Sequence, residues 1–377
     1  MIDADELRSW LQLLETPQVG RESARRLLAA FGSPQAALAA TTDARRAVVG
    51  ATQAAALAEL PETLAPLVAQ TQAWLTESRA ESQAEPRDVI TLGDPRYPSA
   101  LLDAPDPPLM LYVQGRIELL AAPSLAIVGS RSPTPQGADN ARAFANHLSH
   151  SGLTIVSGLA LGVDAAAHAG GLEGGASTIA VVGTGLDRVY PKRHLQLAHR
   201  IAKAGLIVSE YAIGTPPLAA HFPQRNRIIA GLARGTLVVE AALQSGSLIT
   251  ARLANEAGRD VFAIPGSIHS PQSRGCHALI KQGAKLVEAA QDILEELRMP
   301  AHAAAASPSD ASAPDSEWPH AALLDAMGFD PVTLDALAAR TSWSASTLNV
   351  ALLELELDGH VARLPGQLFQ RTEVEQA

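Results

Sequence analysis

Residues 125–158 read LAIVGSRSPTPQGADNARAFANHLSHSGLTIVSG, and this stretch decides the fold. Leu125–Val128 is a short, wholly apolar run that stops at Gly129-Ser130-Arg131, and Thr154–Val156 repeats the form and stops at Ser157-Gly158. Between them Ala138–His150 has the spacing of an amphipathic helix. Apolar runs without alternation are strands buried on both faces, and a helical crossover joins parallel neighbours. The unit recurs at Thr178–Val182, Leu206–Val208, Thr236–Val239 and Asp260–Ile264, with a further helical pattern at His194–Ala204. The centre of the chain is therefore expected to be α/β, a mostly parallel sheet with helices on both faces. Ligands of such sheets sit beyond the carboxyl ends of the strands. That places Gly129-Ser130, Ser157-Gly158, Gly183, Ser209-Glu210, Glu240 and Pro265-Gly266 around a site.

The flanks differ in character. Residues 6–80 are helical in pattern, rich in Leu and Ala. Within them Leu14-Glu15-Thr16-Pro17-Gln18-Val19-Gly20, followed by Ala24, Leu27, Leu28 and Phe31-Gly32-Ser33, resembles a helix-hairpin-helix. That motif grips duplex DNA through amides of a Gly-apolar-Gly turn. Gln18 replaces the first glycine and the segment is acidic, so a structural role is expected. Prolines 86, 95, 98, 105, 107 and 108 separate this module, residues 1–80, from a central domain at 87–298. Residues 299–318 are Ala/Ser/Pro-rich and read as a flexible linker. In 319–377, Leu334–Arg340, a break at Thr341–Ala345, Ser346–Asp358 and a hairpin around Pro365-Gly366 make a winged-helix pattern. Its would-be recognition helix carries Glu354, Glu356 and Asp358 and no base, which disfavours phosphate contacts and favours a protein-contact or structural role.

The 377 residues carry a net charge of −10, unpromising for a polyanion partner until it is divided along the chain. Residues 1–86 carry −4, 87–298 carry +2, 299–318 carry −3 and 319–377 carry −5. An anion is expected to bind in the middle segment or not at all. Cys276 is the sole cysteine, which excludes an internal disulfide, and no Cys/His spacing suggests zinc. No metal or cofactor is expected. The acidic start Met1–Glu6 lacks a signal-like apolar segment, and no apolar run is long enough for a membrane span; a cytoplasmic protein is expected.

The densest chemistry lies in His221-Phe222-Pro223-Gln224-Arg225-Asn226-Arg227, just before an apolar helical run. Helix starts favour acidic side chains, so two guanidiniums there call for an anionic partner. Phe222 offers a face on which a base stacks. Gly129-Ser130-Arg131 follows the first central strand, where a glycine admits a phosphate to the backbone and an arginine grips its oxygens. Ser157-Gly158-Leu159-Ala160-Leu161-Gly162-Val163-Asp164 is glycine-rich but neither a dinucleotide fingerprint nor a P-loop. Asp164 and His168 stand one helical turn apart and read as a structural pair, since no nucleophile elbow accompanies Ser157. Gly183-Thr184-Gly185 leads to Tyr190-Pro191-Lys192-Arg193, cations beside a ring, and Glu240 leads to Ser245-Gly246-Ser247 before another helix.

Together these blocks resemble the DNA-processing protein A family, also called DprA or Smf. The resemblance rests on IVGSR at 127–131, SGLALGVDAAAH at 157–168, GTGLDRVYPKRH at 183–194, FPQRNRIIAGL at 222–232, VVEAALQSGSLITARLA at 238–254 and PGSIHSPQSRGCHALIKQGAKLV at 265–287. It implies a Rossmann-like domain that binds single-stranded DNA and forms a homodimer. It further implies loading of RecA recombinase onto strands coated by single-strand-binding protein during natural transformation. Arg131 then corresponds to the phosphate-gripping arginine, Lys192 to the basic residue of the Tyr-Pro block, and Phe222 to the base-pocket aromatic, followed by Arg225, Asn226 and Arg227. Ala219 and Ala220 stand where some members have a lysine. The full set expected at the DNA is Gly129, Ser130, Arg131, Ser157, Gly158, Gly162, Lys192, Arg193, Phe222, Arg225, Asn226, Arg227, Ser245, Gly246 and Ser247, with no catalytic residue. The competing expectation is an enzyme that cleaves nucleoside monophosphates, faintly echoed in Gly235-Thr236 and Glu240 but without the full glycine turn.

Overall fold

The computed structural model describes residues 2–80, 85–299, 320–328 and 331–372. It forms two compact units, residues 1–301 and 302–377. The first opens with six helices: α1 (Ala4–Glu15), α2 (Arg21–Phe31), α3 (Pro34–Ala39), α4 (Thr42–Val49), α5 (Ala51–Ala56) and α6 (Leu64–Ala80). Side chains of Asp3, Ser33 and Thr41 cap α1, α3 and α4, and left-handed Gly32 ends α2. Between α1 and α2, Gln18 takes the left-handed φ of 67° that a hairpin glycine would take without strain.

The nine strands that follow are β1 (Arg87–Thr91), β2 (Met110–Gly115), β3 (Ser124–Val128), β4 (Thr154–Ser157), β5 (Thr178–Val182), β6 (Leu206–Ser209), β7 (Gly235–Val238), β8 (Asp260–Ala263) and β9 (Lys285–Leu286). They make one sheet in the order β1-β2-β6-β5-β4-β3-β7-β8-β9. The pairs β1–β2 and β2–β6 are antiparallel and all others parallel. The interleaved helices are α7 (Pro135–His150), α8 (Val163–Gly171), α9 (Leu195–Ala204), α10 (His221–Leu232), α11 (Ser247–Glu256), α12 (Arg274–Lys281) and α13 (Ala290–Glu296). Alternation along β3 sends Leu125 and Ile127 into a core with α7, α8 and α13, and Ala126 and Val128 into a core with α10, α11 and α12. Both faces are thus covered, as the apolar runs require.

The expected parallel strands all form, within a residue or so of their expected ends. The antiparallel edge was not expected. The proline-rich stretch read as a divider instead brackets two strands: β1 starts after Pro86, and Pro108 accepts the Tyr97 hydroxyl at 2.7 Å just ahead of β2. The N-terminal helices share a core with that edge. Leu7, Trp10, Leu11, Leu13, Leu27 and Trp74 pack with Val89, Leu109, Met110 and Tyr112. A charged seam ties them further: Arg21 and Arg25 reach Asp106 at 2.8 and 2.6 Å, and Arg227 pairs with Asp106 and Glu210.

The second unit contains α14 (Ala321–Met327), β10 (Val332–Thr333), α15 (Leu334–Thr341), α16 (Ala345–Leu357), β11 (Val361–Leu364) and β12 (Leu368–Arg371), with sheet order β10-β12-β11. Its helix–turn–helix and hairpin follow the expected winged-helix pattern. On α16, Leu348, Leu352 and Leu355 are buried while Val350, Leu353 and Leu357 are exposed beside Glu354. The expected linker lies, apart from Met299, outside the described residues. No helix among the described residues is long and apolar enough to cross a membrane.

His168 of α8 is wholly buried beneath the β4–α8 loop. Thr178 Oγ1 donates to the Ile155 carbonyl at 2.6 Å, so it accepts from His168 Nδ1–H at 2.7 Å. His168 Nε2 is then the acceptor for the Leu159 amide at 3.2 Å, which fixes the neutral tautomer. Burial, with Arg225 and His194 acting in the same direction, pulls its pKa from 6.5 to about 3. Below the ordinary value the unfolded chain binds a proton that the folded chain refuses. Stability is therefore complete above about 6.5 and is lost as pH falls toward about 3, by about 1.4 kcal/mol per pH unit. The prediction is that His168→Gln, which can keep both hydrogen bonds, loses about 2 kcal/mol less than wild type between pH 7 and pH 5. Calorimetric melts at the two pH values measure this; equal losses would show that His168 does not set the acid dependence.

Candidate functional site

In the parallel part of the sheet, β3 and β7 are neighbours from which the chain winds outward in opposite directions. Their carboxyl ends therefore part their loops, which is where open α/β sheets hold ligands. A cavity of about 470 Å³ lies there. It is lined by the β3 loop (Gly129, Ser130, Arg131), the start of α8 (Ala160, Asp164), the start of α10 (Phe222, Pro223, Arg225, Asn226) and the start of α11 (Ser245, Gly246, Ser247). Neither α10 nor α11 has a side-chain cap or an acidic residue in its first turn. Their positive ends therefore face the cavity with no acidic side chain of their own first turn to offset them.

Arg225 forms the floor. It is 4% exposed and donates from Nη1 to the carbonyl oxygens of Gly158, at 2.5 Å, and Val181. Its Nε donates to Asn226 Oδ1 at 3.0 Å, which leaves the Asn226 amide NH2 as a donor in the cavity wall. Burial, with Arg131 adding to it and Asp164 opposing, brings the Arg225 pKa down to about 10, so the group stays charged at neutral pH. A Cβ on Gly158 would lie 2.2 Å from that guanidinium, so a side chain there would displace it from its carbonyl acceptors. Gly162 has a φ of +77°, and a Cβ on it would lie 2.4 Å from the Ser130 carbonyl. The β4–α8 loop can approach the β3 loop only because this residue is glycine.

Two acids hold the frame. Asp164 accepts from the amides of Gly158 and Ala160, both at 3.1 Å, and burial raises its pKa against the pull of Arg225. Glu240 accepts from the Thr134 amide at 3.0 Å and from its hydroxyl at 2.5 Å, fixing the cap of α7; burial raises its pKa too. Ser157 Oγ donates to the Ile127 carbonyl at 2.7 Å between strands and is fully buried. Asp164 and His168 do not pair with each other as expected; each has its own structural partners, as Glu240 has.

The expected cations do not share one pocket. Arg131 is exposed on the cavity wall and has no ion-pair partner among the described residues. Arg225 is a buried strut, and Arg227 is bound to Asp106 and Glu210 and does not line the cavity. Helix geometry turns it away from the cavity, toward the N-terminal helices. Lys192 and Arg193 lie exposed on a short 3-10 turn, Lys192–His194, outside the cavity lining. Ser157 and Gly162 likewise support the wall without lining it. The enzyme-like Gly235-Thr236 pair is buried inside β7 and forms no phosphate turn. Gln244, Thr250 and Gln272 line the cavity and were not expected there. Gln272 donates to the Ser132 carbonyl at 3.4 Å, closing the loop opposite α10.

The family model for DNA recombination-mediator protein A matches residues 88–298. Models for a DprA-like N-terminal HHH domain and a DprA winged helix domain match 4–59 and 307–367. The chain is 44% identical to Protein Smf of Escherichia coli (strain K12), over 72% of this chain and 74% of that protein. It is 52% identical to DNA processing protein DprA of Streptococcus pneumoniae, over 54% of this chain and 72% of that one. The X-ray structure of DprA from Streptococcus pneumoniae superposes with a TM-score of 0.64 at 38% identity, covering 78% of this chain and 98% of that chain. A structure of DNA processing protein A from Helicobacter pylori, described for its single-stranded DNA binding mode, superposes with a TM-score of 0.51 at 33% identity, covering 56% and 95%. With the central domain, both flanking modules and the site loops in order, this chain belongs to the DNA recombination-mediator protein A (DprA/Smf) family.

Proposed function

We propose that this chain binds single-stranded DNA at the switch-point cavity and, as a homodimer, helps load RecA recombinase onto strands coated by single-strand-binding protein. The observation that carries the proposal is the combination of an exposed Arg131, without an ion-pair partner among the described residues, with the buried charge of Arg225 beside helix starts that lack acidic first turns, with Phe222 on the wall. Such a site takes a phosphodiester and an adjacent base without reading sequence. A stacked base contributes about 1–3 kcal/mol, so with few rings the phosphates dominate and binding weakens steeply with salt. The single-stranded DNA binding mode described for the Helicobacter pylori relative supports the binding part of this reading.

The protein acts by binding and not by turnover. Glu240 and Asp164 are engaged by backbone amides, and His168 is neutral and walled off. Titration of single- and double-stranded oligonucleotides at two salt concentrations tests the binding. Acceleration of RecA filament assembly on coated strands, with no release of base from nucleoside monophosphates, tests the loading role. Nucleotide turnover that vanishes in Glu240→Gln would replace it with the hydrolase alternative.

Two arginines separate the roles of site and scaffold. Arg131→Ala is expected to weaken single-strand binding at least tenfold and leave the melting temperature unchanged. Arg227→Ala is expected to do the reverse, with a stability loss of about 1–2 kcal/mol, since Glu210 and Asp106 lose one guanidinium but keep Arg21 and Arg25, and little change in affinity. Both quantities measured on both variants decide the assignment. Deleting residues 302–377, whose net charge is negative, is expected to leave single-strand affinity unchanged or slightly higher, as read by the same titration.

A further inference from the structure

Phe222, on the cavity wall, packs against a second ring. The Tyr190 centroid lies 5.4 Å from that of Phe222, with the planes inclined by 33°. Tyr190 is 48% exposed and does not line the cavity, so this ring continues the apolar surface of Phe222 outward. The position is built and not incidental. Phe222 lies over Gly183, where a Cβ would come within 3.3 Å of its ring. His194 Nδ1 contacts the Leu159 carbonyl at 3.1 Å, which pins the turn after Tyr190 to the loop beneath the cavity. That turn presents Lys192 and Arg193, both exposed and without ion-pair partners among the described residues.

A half-exposed ring has two ordinary explanations, and neither suffices. Packing on Phe222 alone would account for the buried side of Tyr190 but leaves its open side unused. Solvation alone would not explain two uncompensated cations on the adjoining turn of a net-acidic chain. The combination of an open aromatic face and neighbouring free cations matches one ligand chemistry, a planar base joined to a phosphodiester.

We infer that Tyr190 and Phe222 form a two-ring platform carrying a second nucleobase subsite, with Lys192 and Arg193 holding the phosphates that follow it. The inference rests on the proposed single-strand binding and extends it. The strand runs from the switch-point cavity across Phe222 and Tyr190 toward the start of α9. It assigns Tyr190 a contact with the ligand and gives the two cations outside the cavity a role that the cavity itself does not.

The test uses the full chain and a length series of oligothymidylates, together with oligonucleotides in which one abasic position is moved along the strand. Tyr190→Ala is expected to bind the shortest oligonucleotides as wild type does and to lose about tenfold in affinity for longer ones. Tyr190→Phe should retain wild-type affinity at every length. In wild type one abasic position beyond the cavity should cost a similar factor, and that cost should disappear in Tyr190→Ala. Unchanged affinity of Tyr190→Ala at all lengths overturns the subsite. So does a loss that is the same whichever base is missing, which would mark Tyr190 as a packing residue; melting temperatures of the variants accompany the titration. Failure of wild type to bind any single strand would instead overturn the proposed function, and the subsite with it.

Discussion

The buried guanidinium of Arg225 is the constraint on which the site depends. A charge held below the surface needs acceptors, and the Gly158 and Val181 carbonyls supply them from the ends of two neighbouring strands. By taking those oxygens, Arg225 draws α10 onto the sheet edge and fixes the start of the β4–α8 loop. Asp164 completes the arrangement from the other side, holding the amides of Gly158 and Ala160. The same side chain thus sets the geometry of the cavity and places a fixed positive charge beneath it. Because the charge is oriented before any ligand arrives, little reorganisation accompanies binding, and an anion above the floor meets a field less screened than one at the surface.

This division between floor and wall explains why arginines close in sequence differ so much. On α10, Arg225 shares its face with Ile228, Ile229 and Leu232, spaced three, four and seven residues on, and that face is the one the sheet buries. Arg227 is turned away from it, and its guanidinium joins a network with Arg21, Arg25, Asp106 and Glu210. There it binds the N-terminal helices to the central sheet. Arg131, on a loop past the end of β3, has no ion-pair partner among the described residues and stands exposed on the cavity wall.

Much of the fold was legible because the physics that builds parallel strands writes itself plainly: runs such as Leu125–Val128 and Thr178–Val182 have no polar face to hide. The antiparallel edge was obscured because prolines around β1 and β2 look like linker punctuation, and only the packing of Tyr112 and Met110 under the N-terminal helices shows that strands lie between them. The loops of the site were legible from glycines at strand ends. The roles of individual cations were not, although the stripe shared by Arg225 and the apolar residues of α10 held the signal. Loop residues such as Gln272 carry no periodicity at all, and their placement depends on contacts far apart in sequence.

The acidity of the chain as a whole does not oppose this chemistry. At physiological ionic strength the screening length is about 8 Å, so charges well beyond that distance from the cavity contribute little to an anion bound inside it. What an anion meets locally is Arg131, the buried Arg225 and helix starts that lack acidic first turns, with the nearest acids, Asp164 and Glu240, already occupied by amides. Away from the cavity, acidic surface repels a polyanion that has not found it. A local cationic cleft in an acidic protein therefore gains discrimination between entering the site and adhering elsewhere. A uniformly basic surface would offer a strand many competing places to bind, and would favour rigid duplex as readily as a flexible single strand that can bend into a narrow cleft.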